Sequence, residues 1–243
     1  MYAERHPGEA LSGRVACVWH QVSEGDSTQL VVPDACVDLV WGPGGLFVAG
    51  PDTGPVPTPM TAGDAYVGIR FKPGAVGAVF GVPIHELRDR RVPLAALPAL
   101  TVPSSPLADA GDPALAPDPA ARLAAMRAAV LTRLRETPAP DPAAAAIAGA
   151  LRMGRSVRDV AWAIGLSERQ LHRRSVASFG YSPKTLQRVV RFQRALTLTR
   201  AGVPPAEAAV RAGYADQAHL SHDVKRLSGV PLGRLLSPVR HLP

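Results

Sequence analysis

Apolar residues in the first third of the chain come in short runs, VACVWHQV from Val15, then LVV, VDLVWG, LFVAG and YVGIRF, separated by Pro, Gly and Asp clusters. Runs of this length between turn residues predict strands, so the stretch from about Arg14 to Phe80 reads as mainly β. From about Val76, the segment AVGAVFGVPIHELRDRR predicts one or two short helices. The Pro/Ala/Ser-rich LPALTVPSSPLADAGDPALAPDP that follows has no period and reads as a linker. Within ARLAAMRAAVLTRLRE, Leu123, Met126, Val130 and Leu134 fall on one helical face. That stripe must be covered, either by its own domain or by a second subunit. After the breaker TPAPDP, the pattern stays helical to about Leu236. The expected division is a β-rich domain over residues 1–100, a linker with an amphipathic helix over 101–140, and a helical domain over 141–243. This is an α+β chain.

The helical part contains an internal repeat. SVRDVAWAIGLSERQLHRR from Ser156 and VPPAEAAVRAGYADQAHLSHDVKR from Val203 share one grammar, anchored on Gly165 and Gly213, 48 positions apart. In the first copy Val157, Val160, Ala161 and Ile164 make a stripe that ends at Gly165, a residue able to close a helix in the left-handed conformation. Ser167 caps the next helix through its hydroxyl, and Leu171 anchors that helix in the core. In the second copy Ala206, Ala209 and Val210 are expected to make the stripe, with Gly213 the turn, Asp216 the cap and Leu220 the anchor. The second turn is one residue longer. Ala161 and Ala209, four residues before their glycines, let the paired helices approach closely. A helix, a tight turn and a capped second helix is the geometry that places the second helix in a major groove. Two copies joined by the long PKTLQRVVRFQRALTLTRAG suit two successive grooves.

Charge sharpens this picture. The 243 residues carry a formal net charge of +7. Residues 151–243 hold sixteen Lys and Arg against five Asp and Glu, whereas the first 150 residues hold eleven against fifteen. Phosphate attraction confined to one domain produces such a split. No apolar run is long enough to cross a bilayer and the first residues, MYAERHPGEALSG, are polar, so the expected location is the cytoplasm, with no membrane partner. Cys17 and Cys36 are too few for a disulfide framework.

Over roughly residues 145–236 the sequence resembles the DNA-binding domain of the AraC/XylS transcriptional regulators, in LSERQLHRR, FGYSPK, RVVRFQRAL and AGYADQAHLS. It departs from the family pattern at Ser175, where a bulky apolar residue is usual, at Val224 for an aromatic, at His222 for an arginine, and at Pro231, one position early. Val176 and Phe179 are expected to restore apolar volume near Ser175. Helical phase puts Arg169, His172 and Arg173 on the outer face of the first recognition helix, and these are positions to which the resemblance assigns DNA contact. Arginine there can fork onto guanine O6 and N7. Gln217, Ala218, Ser221 and His222 occupy the outer face of the second, where Gln217 suits adenine and Ala218 a thymine methyl. Lys184, Lys225, Arg188, Arg191 and Arg194 read as phosphate or structural residues, with Arg191 a candidate for an internal ion pair.

The first domain, in VVPDACVDLVWGPGGLFVAGPDTGP, YVGIRFKPGA and FGVPIHELRDRRVPL, resembles an uncharacterised domain found ahead of such DNA-binding domains. By analogy of architecture it suggests a cupin-like sensor with a small-molecule effector. His6, His20 and His85 are scattered, so no metal site and no cofactor are expected. Alternation in DACVDLVW puts Val37, Leu39 and Trp41 on the core side and Cys36 with Asp38 on the other, where they are candidate sensor residues. Cys17 is phased with Val15 and Trp19 as a structural residue. The chain is therefore expected to be a sequence-specific regulator rather than an enzyme, acting on double-stranded DNA, with a small-molecule effector, RNA polymerase and a second copy of itself as candidate partners. Two alternatives stand beside it: a DNA-binding domain fused to a Cys36-based alkyl-transfer or redox-sensing domain, and an interaction module in which the first half only dimerises or binds another protein.

Overall fold

A computed structural model describes residues 1–103 and 118–236. Most of the expected linker, residues 104–117, lies outside the described residues. The first half is built from β1 (Tyr2–Arg5), the single turn α1 (Glu9–Ser12), β2 (Val15–Val22), β3 (Ser27–Val31), β4 (Val37–Gly42), β5 (Gly45–Ala49), β6 (Val56–Met60), β7 (Ala65–Phe71), the short α2 (Ile84–Leu87) and β8 (Arg91–Pro93). Six strands form one antiparallel sheet in the order β1-β2-β7-β4-β5-β8, and β3 pairs with β6 in a separate ribbon. The apolar runs thus become strands as expected, and one short helix forms in the region after Val76.

Alternation assigns the two faces of the sheet. Val37, Leu39 and Trp41 join Val18, Val48, Val67, Ile69 and Phe71 in one core, covered by Leu11, Val76, Val79, Phe80, Ile84 and Leu87. Val40, Cys17 and Trp19 pack on the opposite face with Phe47 and Tyr66. The expected phase of Cys17 with Val15 is broken. Val15 pairs with Phe71 and Cys17 with Arg70, so Ala16 is an extra residue that bulges β2 and moves everything after it to the other face. Cys17 remains with Trp19 and is buried.

The amphipathic helix α3 (Pro119–Glu136) covers its own domain. Met126 and Val130 are fully buried in the sheet's core, with Leu123 and Leu134 partly buried beside them, and the helix lies against β7. Three arginines fix this region by donating to backbone carbonyls: Arg14 to Ala75 and Val76, Arg127 to Pro7, and Arg133 to Ala78 and Val79. A guanidinium spans two carbonyls at once, and so replaces the strand or helix partners that these loop groups lack.

The second half comprises α4 (Ala143–Arg152), α5 (Val157–Ala163), α6 (Glu168–Phe179), α7 (Pro183–Arg200), α8 (Pro205–Ala212), α9 (Gln217–Ser228) and α10 (Leu232–Leu236). Their core centres on α7, whose Leu186, Val189, Val190, Phe192, Ala195 and Leu196 are buried among Ile147, Leu151, Leu171, Leu220 and Val224. Ala35, from the loop before β4, belongs to this helical core. It sits at φ 66, a conformation that costs a non-glycine residue about 1–2 kcal/mol. Gln193 of α7 donates to the carbonyl of Pro33 at 2.6 Å, and Arg88 donates to that of Gly180 at 3.1 Å. The two halves are wedged together through the 33–36 loop and the end of α6.

Candidate nucleic-acid interface

Each repeat unit forms the two capped helices that its sequence requires. In the first, Ser156 caps α5 by accepting from the amide of Asp159 at 3.1 Å. Gly165 turns the chain at φ 68, and Ser167 caps α6 in a reciprocal box with Gln170. In the second, Gly213 closes α8 at φ 89 and the Asp216 carboxylate accepts from the amide of His219 at 2.7 Å. Leu171 and Leu220 are fully buried, as anchors must be. The core stripe of α8 differs from expectation. Ala208, Ala209 and Ala212 are buried, while Ala206 is exposed and Val210 is 65% exposed. Adding 48 to Val160, Ala161 and Ile164 gives these same three alanines, so the repeat carried the correct phase. Hydrophobicity pointed instead to Val210, whose counterpart Trp162 is 83% exposed.

Arg169, His172 and Arg173 of α6 are exposed, as are Gln217, Ala218, Ser221 and His222 of α9. Lys184 at the start of α7 and Lys225 on α9 are exposed too. None of these polar side chains has a hydrogen bond or ion pair to another described residue. Two helices with anchored inner faces therefore present uncommitted polar side chains outward. Exposed Arg155 and Arg158, at the start of α5, and Arg226 extend the positive surface. The sequence reading did not single them out, although Arg226 directly follows Lys225 in the chain.

Arg188, Arg191 and Arg194 are engaged inside the helical half. Arg191 donates to the Asp223 carboxylate at 2.9 Å, reaches the carbonyl of Gly213 and stacks 4.0 Å from the centre of the Tyr214 ring. Arg188 approaches the same carboxylate at 3.9 Å. Asp223 is almost wholly buried and ties α9 to α7. Arg194 donates to the carbonyl of Arg152 at the end of α4. The internal ion pair expected for Arg191 is present. Ser175 is fully buried without an unmet polar group, because its hydroxyl donates to the carbonyl of Tyr181 at 2.8 Å. Phe179 and Tyr181 fill the space around it, whereas Val176 is only partly buried.

In the first half, Asp38 lies on the second face of the sheet, as expected. Its carboxylate accepts from Arg70 Nε at 3.1 Å and from Trp19 Nε1 at 3.3 Å. Arg70 also approaches Asp34 and Glu4. Burial pushes the Asp38 carboxyl up against the pull of Arg70. Cys36 is held beside Asp34, whose carboxylate accepts from the Cys36 amide at 2.8 Å. Burial, and then the charges of Asp34 and Asp38, push its thiol well above the usual range, so it stays protonated at neutral pH. Among the described residues no group of three His, Cys, Asp or Glu side chains could hold a metal ion, and no helix is long and apolar enough to cross a membrane.

Comparison with known families gives two matches. Residues 160–237 match a helix-turn-helix domain and residues 3–93 match a domain of unknown function (DUF6597). Among solved structures, the C-terminal domain of AraT, a response regulator from Geobacillus stearothermophilus, is 21% identical with a TM-score of 0.37, covering 42% of this chain and 95% of that one. ToxT from Vibrio cholerae is 9% identical with a TM-score of 0.48, covering 97% of each chain. No curated protein matches the chain.

Proposed function

We propose that this chain, which carries an AraC-type helix-turn-helix domain behind a domain of unknown function, is a DNA-binding transcriptional regulator controlled by a small molecule or by dimerisation through its first domain. DNA binding is assigned to residues 141–243 and sensing to residues 1–100. The supporting observation is the pair of capped helices α6 and α9, each anchored by a buried leucine and each offering exposed, uncommitted polar side chains.

Arg169, His172 and Arg173 read bases or hold the backbone in one major groove, and Gln217, Ala218, Ser221 and His222 do so in the next. Lys184 and Lys225 hold phosphates. Control reaches these helices through the 33–36 loop. That loop leaves the Arg70, Asp34 and Asp38 cluster, inserts Ala35 into the helical core and accepts a hydrogen bond from α7. A ligand that favours one arrangement of the cluster shifts the helices with it, by as much as its affinity differs between the two arrangements. RNA polymerase is the partner through which an activator of this kind acts.

The test separates base reading from phosphate holding on a duplex enriched from genomic fragments. Arg173→Ala should lower the preference for that duplex over a scrambled one by roughly ten- to a hundredfold. Lys184→Ala should weaken both duplexes alike and reduce the slope of log affinity against log salt by about 0.9. If the two variants behave identically on both duplexes, the base-reading assignment fails.

A further inference from the structure

Segment 50–55, Gly-Pro-Asp-Thr-Gly-Pro, joins β5 to β6. Its first proline reaches the end of α6, where a Cβ placed on Gly180 would lie 3.0 Å from Pro51 Cγ. Its second reaches the end of α9, where a Cβ placed on Gly229 would lie 3.5 Å from Pro55 Cγ. Gly180 and Gly229 close the two recognition helices in the left-handed conformation, at φ 81 and φ 73. They stand 49 positions apart, the offset that also separates the caps Ser167 and Asp216 and the anchors Leu171 and Leu220. One loop of the first domain therefore touches the same point of both repeat units.

The loop is stiff where it makes these contacts. Proline fixes φ at both contact points. Between them, Arg91 donates to both oxygens of Asp52 at 2.7 and 2.8 Å, and only 7% of that aspartate side chain is exposed. The amide of Thr53 donates to the Asp89 carboxylate at 2.6 Å, and the amides of Gly50 and Asp89 donate to the carbonyls of Arg90 and Pro51. The neighbouring segment is tied to the first unit, since α2 lies against α6 and Arg88 donates to the carbonyl of Gly180. Each recognition helix has 12 residues and is about 18 Å long. A tilt of about 10° at the loop end moves the groove end by about 3 Å, close to one base-pair step.

We propose that the 50–55 loop is a brace between the two helix-turn-helix units, and that Pro51 and Pro55 are positioning residues that set which half-site spacing the chain accepts. The inference rests on the function proposed above. The helix starts enter the grooves and carry the contacts, while the opposite ends are held at a fixed separation by a stapled loop of another domain. The connecting helix α7 joins the units through their core, and the loop adds a second tie at their far ends. Two ties remove the tilt that one leaves, so the helices meet DNA already spaced and little ordering is left to lose on binding.

The test uses the full chain and two variants, Pro55→Gly and an insertion of two glycines between Gly54 and Pro55. Pro55 is only partly buried and lengthening a surface loop costs little, so both should keep the parent's melting temperature. Binding is measured on the enriched duplex and on duplexes with one base pair added or removed between half-sites, which shifts one half-site by about 3.4 Å and turns it by about 35°. The parent should lose roughly tenfold or more on the altered duplexes, and the variants about threefold or less. An equal factor lost on all three duplexes would mean a loss of stability alone, and tighter binding of all three would mean a restraint on DNA binding; either overturns the brace. A second readout needs no DNA: spin labels on Glu168→Cys and Arg226→Cys, both exposed, while neither native cysteine is. Double electron–electron resonance should give one narrow distance in the parent and a broader distribution in both variants, and equal widths would overturn the proposal. A parent without specific binding refutes the regulator and with it the spacing role, whereas specific binding with unchanged widths refutes the brace alone.

Discussion

Replacement of Asp223 by alanine tests whether one buried ion pair holds the second recognition helix in place. Only 7% of the Asp223 side chain is exposed and 18% of that of Arg191, with 2.9 Å between their charged atoms. Removing one member of a buried pair costs roughly 3–5 kcal/mol, chiefly because the other charge is left buried alone. Here Arg191 keeps the carbonyl of Gly213 and the Tyr214 ring, and Arg188 is more exposed and farther away, so the lower end, about 3 kcal/mol, applies. For a chain of this size that corresponds to a fall in melting temperature of about 6–12 °C. The assay is a circular-dichroism melt of parent, Asp223→Ala, Arg191→Met and the double variant. The double variant should be more stable than the sum of the single losses by about 1–3 kcal/mol, since it leaves no orphaned charge. A loss below about 0.5 kcal/mol for Asp223→Ala would place the pair among ordinary surface contacts and refute the reasoning.

Two further variants test the junction and the first domain. Gly180→Ala should cost about 1–2 kcal/mol, because Gly180 holds φ 81 and an added Cβ would lie 3.0 Å from Pro51 and 3.2 Å from Ile84. Hydrogen exchange should then quicken at residues 33–36 and 180–182 while the sheet stays protected; unchanged exchange there would dissociate this contact from the wedge. Cys36 in the folded chain should react with iodoacetamide far more slowly at neutral pH than the same thiol after denaturation, since burial and two neighbouring carboxylates hold it protonated. Equal rates would show an accessible, activated thiol and restore Cys36-based chemistry as a reading.

Local signals in the sequence carried most of the candidate interface. The cap residues Ser167 and Asp216, the turn glycines Gly165 and Gly213 and the anchors Leu171 and Leu220 act within a few residues of themselves, and each does in the structure what its type dictates. The alternation in DACVDLVW likewise placed Asp38 opposite Leu39 correctly. Three features depended on distant partners and could not be read this way. The bulge at Ala16 is set by pairing with β7, so strict alternation misplaced Cys17 relative to Val15. The inner face of α8 is set by α7 and α9, and its alanines bury less apolar area than Val210 would, which misled a reading based on hydrophobicity although the 48-residue offset of the repeat carried the phase. The insertion of Ala35 into the helical core joins residues far apart in sequence and leaves no periodic trace. The stripe on α3 was legible, but its target was not, because an apolar face fits its own sheet and a second subunit equally well until the core is seen to close.

The most direct test of the central claim is selection of genomic fragments by the purified chain at two salt concentrations, followed by sequencing. A regulator with α6 and α9 in successive grooves should enrich one motif with two half-sites about one helical turn apart, retained at the higher salt. Binding that falls steeply with salt and enriches no motif would contradict sequence-specific recognition by these two helices.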